Sequence, residues 1–185
     1  MDGHLFSDES KVDGYRFAGA LVSSEDVRRV RREVLTWRVG ESRRFHTSHE
    51  RPEARERALA SLLRMAGTVE LVVVEHAKTH PEFVAREACV AGMALWAGSA
   101  GVTHWLLERD GPSEYRDRQT IAALISLGVI PRLKYGHAPG VSEPLLWIAD
   151  LAAWLWTRGG EHRAALSPLI VHHEVVTSDA DEAAA

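Results

Sequence analysis

Apolar positions along the chain recur with two periods, and the changes between them mark the elements. Leu5 to Ser7 and Tyr15 to Val22 predict two short strands, joined by Glu9-Ser10-Lys11-Val12-Asp13-Gly14, whose Asp-Gly end suits the turn of a hairpin. Ser23 and Asp26 stand like a capping box, and Val27, Val30, Val34 and Trp37 follow at helical spacing, predicting a first helix that ends near Gly40. Arg44 to Ser48 predicts a third short strand. Pro52 then opens a second helix with Leu59, Leu62, Leu63 and Ala66 on one face, closed by Gly67. Val69 to Glu75 has no polar alternation, as expected of a central strand covered on both sides.

The second half repeats strand and helix. Pro81 begins a third helix that reaches about Trp96, Val102 to Glu108 is an apolar strand, and a fourth helix carries Ile121, Leu124 and Ile125. Val129 to Tyr135 predicts the next strand and His137-Ala138-Pro139-Gly140 a loop. Ser142 or Glu143 caps a fifth helix with Pro144 in its first turn, running through Trp156 to Arg158 and stopped by Gly159-Gly160. A short helix and strand complete the chain, and the acidic, alanine-rich Asp179 to Ala185 predicts a frayed tail. Strands alternating with amphipathic helices imply an α/β fold: a mixed sheet flanked by helices, its first pair antiparallel, in one domain over residues 1–176.

Composition narrows the function classes. A chain of 185 residues suits one domain, and 45% hydrophobic with 26% charged residues is globular. The longest apolar run, Leu145 to Trp156, is interrupted by Asp150 and falls short of the ~20 residues a membrane helix needs. Met1-Asp2-Gly3-His4 has neither a basic start nor an apolar run of signal length, so the expectation is a cytoplasmic protein with no membrane partner. The single Cys89 sits among Ala88, Val90 and Ala91, as a buried thiol does. A net charge of −4 argues against non-specific coating of nucleic acid, which requires neutralising many phosphates. Arg28, Arg29, Arg31, Arg32, Arg43, Arg44, Arg51, Arg55 and Arg57 nonetheless crowd the first third, either as solvated helix faces or as a phosphate-binding surface. The six tryptophans lie on apolar faces and suit core packing better than base stacking; Trp147 and Trp156 alternatively suit a helix-packed homodimer interface.

Two acids stand out. Asp8 lies where an apolar strand runs into a turn, and alternation sends it and Glu9 to opposite sheet faces, so one of them can line a given site. Its structural alternative is capping of the turn. Asp150 interrupts Leu145-Leu146-Trp147-Ile148-Ala149-Asp150-Leu151-Ala152-Ala153-Trp154-Leu155-Trp156, where a lone carboxylate is costly without a donor, a cation or a metal. Its alternative is a structural bond to an indole or a backbone amide. Phe45-His46-Thr47-Ser48-His49-Glu50 is a third polar cluster: His46 can carry a proton or bind phosphate, His46-x-x-His49 is compatible with half of a zinc site, and both can be ordinary surface histidines.

Asp8-Glu9-Ser10, the strand Phe17-Ala18-Gly19-Ala20-Leu21-Val22 and the late Pro144-Leu145-Leu146-Trp147-Ile148-Ala149-Asp150-Leu151 resemble the bacterial DUF3800 family of uncharacterised proteins related to ribonuclease H. That family typically carries Asp-Glu-Ser-Gly early and Leu-Gln-x-Ala-Asp-Leu late; here Lys11 replaces the glycine and Trp147 the glutamine. The resemblance implies a ribonuclease H-like fold in which Asp8 and Asp150 hold Mg²⁺ or Mn²⁺ together with a mid-chain carboxylate, for which Glu108 is best placed and Asp110 the fallback. It also implies that a segment containing His46 approaches the carboxylates. The function so implied is a metal-dependent nuclease acting on RNA or DNA. The alternatives are a catalytically silent module of the same fold that binds a nucleic acid or protein, and a small-molecule hydrolase built on His46, which lacks a Gly-x-Ser-x-Gly nucleophile motif.

Overall fold

Asp13 and Gly14 both adopt positive φ, 50° and 123°, and this turns β1 (Gly3–Ser10) back along β2 (Tyr15–Ser23). In the computed structural model, which describes residues 2–76, 81–131 and 133–177, the hairpin is followed by α1 (Val27–Leu35), a 3-10 turn (Thr47–His49), α2 (Pro52–Arg64) and β3 (Val69–His76). Then come α3 (Glu82–Ser99), β4 (Val102–Glu108), α4 (Glu114–Ser126), β5 (Lys134–Ala138), α5 (Leu146–Arg158), α6 (Gly160–Ala165) and β6 (Ile170–Val176). The strands form one sheet in the order β5-β4-β1-β2-β3-β6, and β2 alone runs against the other five. The α/β class and mixed sheet expected from the sequence are what the chain forms.

Each sheet face has its own core. Phe6, Ala18, Ala20, Val22, Leu71 and Val73 pack under α1, α2 and α5, while Leu5, Phe17, Val72, Val74, Trp105 and Leu107 pack under α3 and α4. The unbroken apolar run of β3 follows from this, since both its faces are covered. Among the described residues no helix is long and apolar enough to cross a membrane. Cys89 is buried, and burial pushes its thiol up to about 12.

Four expectations need correction. Arg44 to Ser48 is no strand: Phe45 and Thr47 do alternate inward, but they pack against Trp37 and α5, with no strand partner, and the segment closes into the 3-10 turn. The strand expected at Val129 to Tyr135 lies instead at Lys134–Ala138, because Ile130 and Pro131 pack on Gly98 of α3 and Pro131 has no N–H for a ladder. His137 and Ala138 therefore belong to that strand, paired with Leu107 and Glu108, rather than to a loop. Trp147 and Trp156 are 1% and 6% exposed within this chain's own core, so they offer no surface to a second copy. The tail expected to fray lies outside the described residues beyond Thr177.

A buried charge network ties α3 and α4 to the hairpin. Arg86, 2% exposed, donates to both oxygens of Asp117 at 2.9 Å each and to Tyr15 Oη at 2.9 Å, and pairs with Glu9 at 3.0 Å. His137 Nε2 lies 2.9 Å from Asp117 Oδ2. Burial pushes the Asp117 carboxyl up, but the bonds and charge of Arg86 and His137 outweigh it and hold the group below the usual carboxylate range. A lowered folded value makes this a stability contribution present above the unfolded carboxylate pKa of about 3.9 and lost as pH falls through the folded value. Arg86→Met strands buried carboxylates without their cation and is expected to cost about 3–5 kcal/mol at pH 7, read by urea unfolding. The loss should shrink as pH falls toward about 4, because the stranded acids, raised by burial once Arg86 is gone, protonate before an ordinary carboxylate does.

Candidate active site at the mouth of the sheet

β1 and β4 are parallel neighbours, with Phe6 opposite Leu106 and Ser7 opposite Leu107, so the two strands end at the same edge. Alternation then carries Asp8 and Glu108 to the face of Phe6 and Leu106, the face that α5 covers. The approach of α5 to β1 and β2 is eased by Ala18 and Ala20 below and Ala149, Ala152 and Ala153 above, all buried. With so little side chain between helix and sheet, Asp150 is delivered to the strand ends. Asp8, Glu108, Asp150 and His46 line one cavity of about 390 Å³.

Each carboxylate is held through one oxygen. Asp8 Oδ1 accepts the Glu9 N–H at 2.7 Å. Asp150 Oδ2 accepts the Thr47 N–H at 2.8 Å and the Thr47 hydroxyl at 3.1 Å, and faces His46 Nδ1 at 3.1 Å. Glu108 Oε1 pairs with Arg44 Nη2 at 2.7 Å. Among the described residues Glu108 Oε2 is buried with no hydrogen-bond partner. Asp150 thus has the partner its apolar surroundings demanded, a backbone amide with two side chains rather than an indole.

The electrostatics are those of crowded like charges. Burial, then the charges of Glu9, Glu108 and Asp150, push the Asp8 carboxyl well above its ordinary range. His46 is raised, because its hydrogen bond to Asp150 outweighs partial burial. As the Asp150 oxygen only accepts, His46 Nδ1 carries the proton, and Nε2 lies 3.2 Å from Ser48 Oγ.

Glu9 and Asp110 go elsewhere. Glu9 points to the opposite sheet face, as alternation required, where Arg86 and Lys11 meet it. Asp110 reaches the cavity rim, yet its Oδ2 is engaged by Lys11 at 3.1 Å and Ser113 at 3.0 Å. Of the two mid-chain acids, Glu108 is the one brought beside Asp8. His46 and His49 meet edge to face at 4.4 Å between centroids, and among the described residues neither they nor Asp8, Glu108 and Asp150 belong to a trio of ligand atoms within 4.8 Å of one another.

Three contributors were missed in the sequence. Arg44 is one arginine in a crowd, and Thr47 sits in a stretch whose pattern predicts a strand. Gly140 lies against the Arg44–Glu108 pair: a Cβ there would stand 2.9 Å from Arg44 Cζ and 3.0 Å from Glu108 Oε1. The Trp147 indole fixes that loop by donating to Gly140 O at 2.6 Å, a polar contact next to the site.

No family model matches the sequence, and no curated protein does. Among solved structures the chain is similar to the ribonuclease HII of Archaeoglobus fulgidus in its complex with PCNA, with a TM-score of 0.57 and 12% identity over 90% of this chain and 77% of that one. At that identity the likeness speaks for architecture alone, and together with the strand order it establishes that the fold is ribonuclease H-like.

Proposed function

We propose that the protein is a divalent-metal-dependent phosphodiesterase cleaving RNA or DNA, with Asp8, Glu108 and Asp150 holding Mg²⁺ or Mn²⁺ and His46 moving the proton. One observation carries this reading: Asp8, Glu108 and Asp150 line one cavity, and Glu108 Oε2 is buried there without a hydrogen-bond partner, which is costly unless a cation completes it. The donors are all oxygen, which suits hard cations. Bound there, such ions would activate a water and stabilise the charge that develops at phosphorus.

The chain's own groups supply the rest. Thr47 fixes the rotamer of Asp150, and Arg44 fixes that of Glu108. His46, held by Asp150 through Nδ1, has its second nitrogen for proton exchange with the attacking water or the leaving oxygen. Trp154 lines the cavity and carries Arg55 and Arg158 over its ring at 4.6 and 4.7 Å, a cationic aromatic surface suited to a polyanion with bases. Kinship with the DUF3800 family, carried by the strand-end and late-helix motifs, belongs to the same proposal. The competing reading is a silent module in which Arg44 and His46 alone offset the acids.

Mn²⁺ at about 100 times its Kd should add about 2.7 kcal/mol to the stability of the wild type, or about 5–10 °C in Tm for a chain of this size. Asp8→Asn should abolish that gain. A carboxyl with a raised folded value favours folding at low pH and weakens it once ionised, so in EDTA at pH 7 the same variant should melt higher than the wild type, by about 2–4 °C per kcal/mol recovered. Cleavage of single- and double-stranded RNA and DNA should fall at least about 100-fold in Asp8→Asn and Asp150→Asn. Unchanged Mn²⁺ binding in Asp8→Asn would leave the silent module as the better reading.

His46→Ala should lower kcat about 100-fold or more while Mn²⁺ affinity changes far less, the signature of a lost proton-transfer group. An equal loss in metal affinity would make His46 a prop for Asp150 instead.

A further inference from the structure

The same two strands that end in Asp8 and Glu108 begin with a second group of ligand-type side chains. Asp2, His4 and His104 each place one potential ligand atom within 4.8 Å of the others, the trio so arranged among the described residues. It lies at the opposite end of β1 from the acidic cavity, with more than one strand residue between, so no atom is shared.

A local irregularity builds it. β1 and β4 pair Gly3 with Val102 but His4 with His104, which leaves Thr103 as an extra residue and sets the two histidines side by side on one face. Such bulges re-aim side chains, and they are rare in parallel pairs. The imidazoles stack with centroids 4.4 Å apart and planes 28° from parallel. Thr103, the extra residue, bonds the Asp2 carboxylate and lies 3.0 Å from His104 Nδ1, so its hydroxyl braces two of the three from outside. Beside the pair opens a cavity of about 330 Å³, with Arg31 and Glu143 on its wall.

We propose that Asp2, His4 and His104 form a binding site for a borderline transition-metal ion of the Zn²⁺ class, with an open coordination position toward this cavity. Two imidazoles and one carboxylate match the ligand chemistry of such ions and not that of Mg²⁺. Ligands about 2.0–2.2 Å from a tetrahedral ion stand about 3.3–3.6 Å apart, so the group, already within 4.8 Å, would have to close by at most about 1.5 Å, to which the exposed Asp2 can contribute by a rotamer change. Three protein ligands leave a fourth place for water or an anion. The ion would clip the first strand to β4.

Co²⁺ titrated into the full chain, followed by its visible absorption, tests this directly. One equivalent should give a ligand-field band that Zn²⁺ displaces and excess Mg²⁺ does not. The band should vanish in His4→Ala and His104→Ala and persist in Asp8→Asn, which separates this site from the proposed nuclease centre. Asp2→Asn, at an exposed position with little bearing on folding, should raise the Zn²⁺ Kd at least about tenfold. A band that survives both histidine substitutions, one that is lost in Asp8→Asn, or no stoichiometric Co²⁺ binding overturns the proposal.

Discussion

A carboxylate in the middle of an apolar helix must be met by donors wherever the helix packs, and much of this molecule is arranged around meeting Asp150. The helix is buried along nearly its whole length, so the donors have to come from a segment laid across it, and that segment is the stretch between α1 and α2. Phe45, fully buried against Trp37, pins the stretch in place. Thr47 then faces Asp150 with its amide and hydroxyl, and His46 with its ring. These bonds converge on one oxygen, so they satisfy the burial requirement without closing the group to the cavity.

Two clusters of acids flank the end of β1, and they differ in how completely they are compensated. On the side of Glu9, three carboxylates (Glu9, Asp110 and Asp117) meet Arg86, Lys11 and His137, and both oxygens of Asp117 are bonded. That is a structural network, in which every buried acid has a cation. On the side of Asp8, Arg44 and His46 each hold one acid and Asp8 itself has a backbone amide, so Asp8 is driven toward its neutral form. A fold that closes one cluster and leaves its neighbour open makes the open one the candidate for chemistry, and the proposed function rests there.

Asp8 and Asp150 were legible because each is a charge where the surrounding pattern is apolar, and such a break has few physical explanations. Glu108 was legible once strand polarity put it at the same edge. Arg86 carried a similar signal, a guanidinium between Ala85 and Cys89 on a buried helix, and could have been found the same way. Arg44, Thr47 and Gly140 could not: their roles depend on how the Phe45 segment and the Gly140 loop cross α5 and β5, which no local period encodes. The displaced strand β5 has the same origin, since Val129 and Ile130 look like strand residues but Ile130 and Pro131 are spent against α3.

Strands that are parallel and far apart in sequence bring equivalent positions side by side at both of their ends. β1 and β4 therefore juxtapose His4 with His104 where they start and Asp8 with Glu108 where they stop, on one sheet face, from a single pairing. The extra residue Thr103 sets that register from His4 onward. A shift by one residue would send His104 and Glu108 together to the other face, under α3 and α4. The two groups are thus chemically distinct, one of oxygens alone and one rich in imidazole, while their geometry rests on the same ladder. What separates them is the surroundings: α5 brings Asp150 to the acid end and its cavity, whereas the histidine end faces a second cavity walled by the Arg31–Glu143 pair.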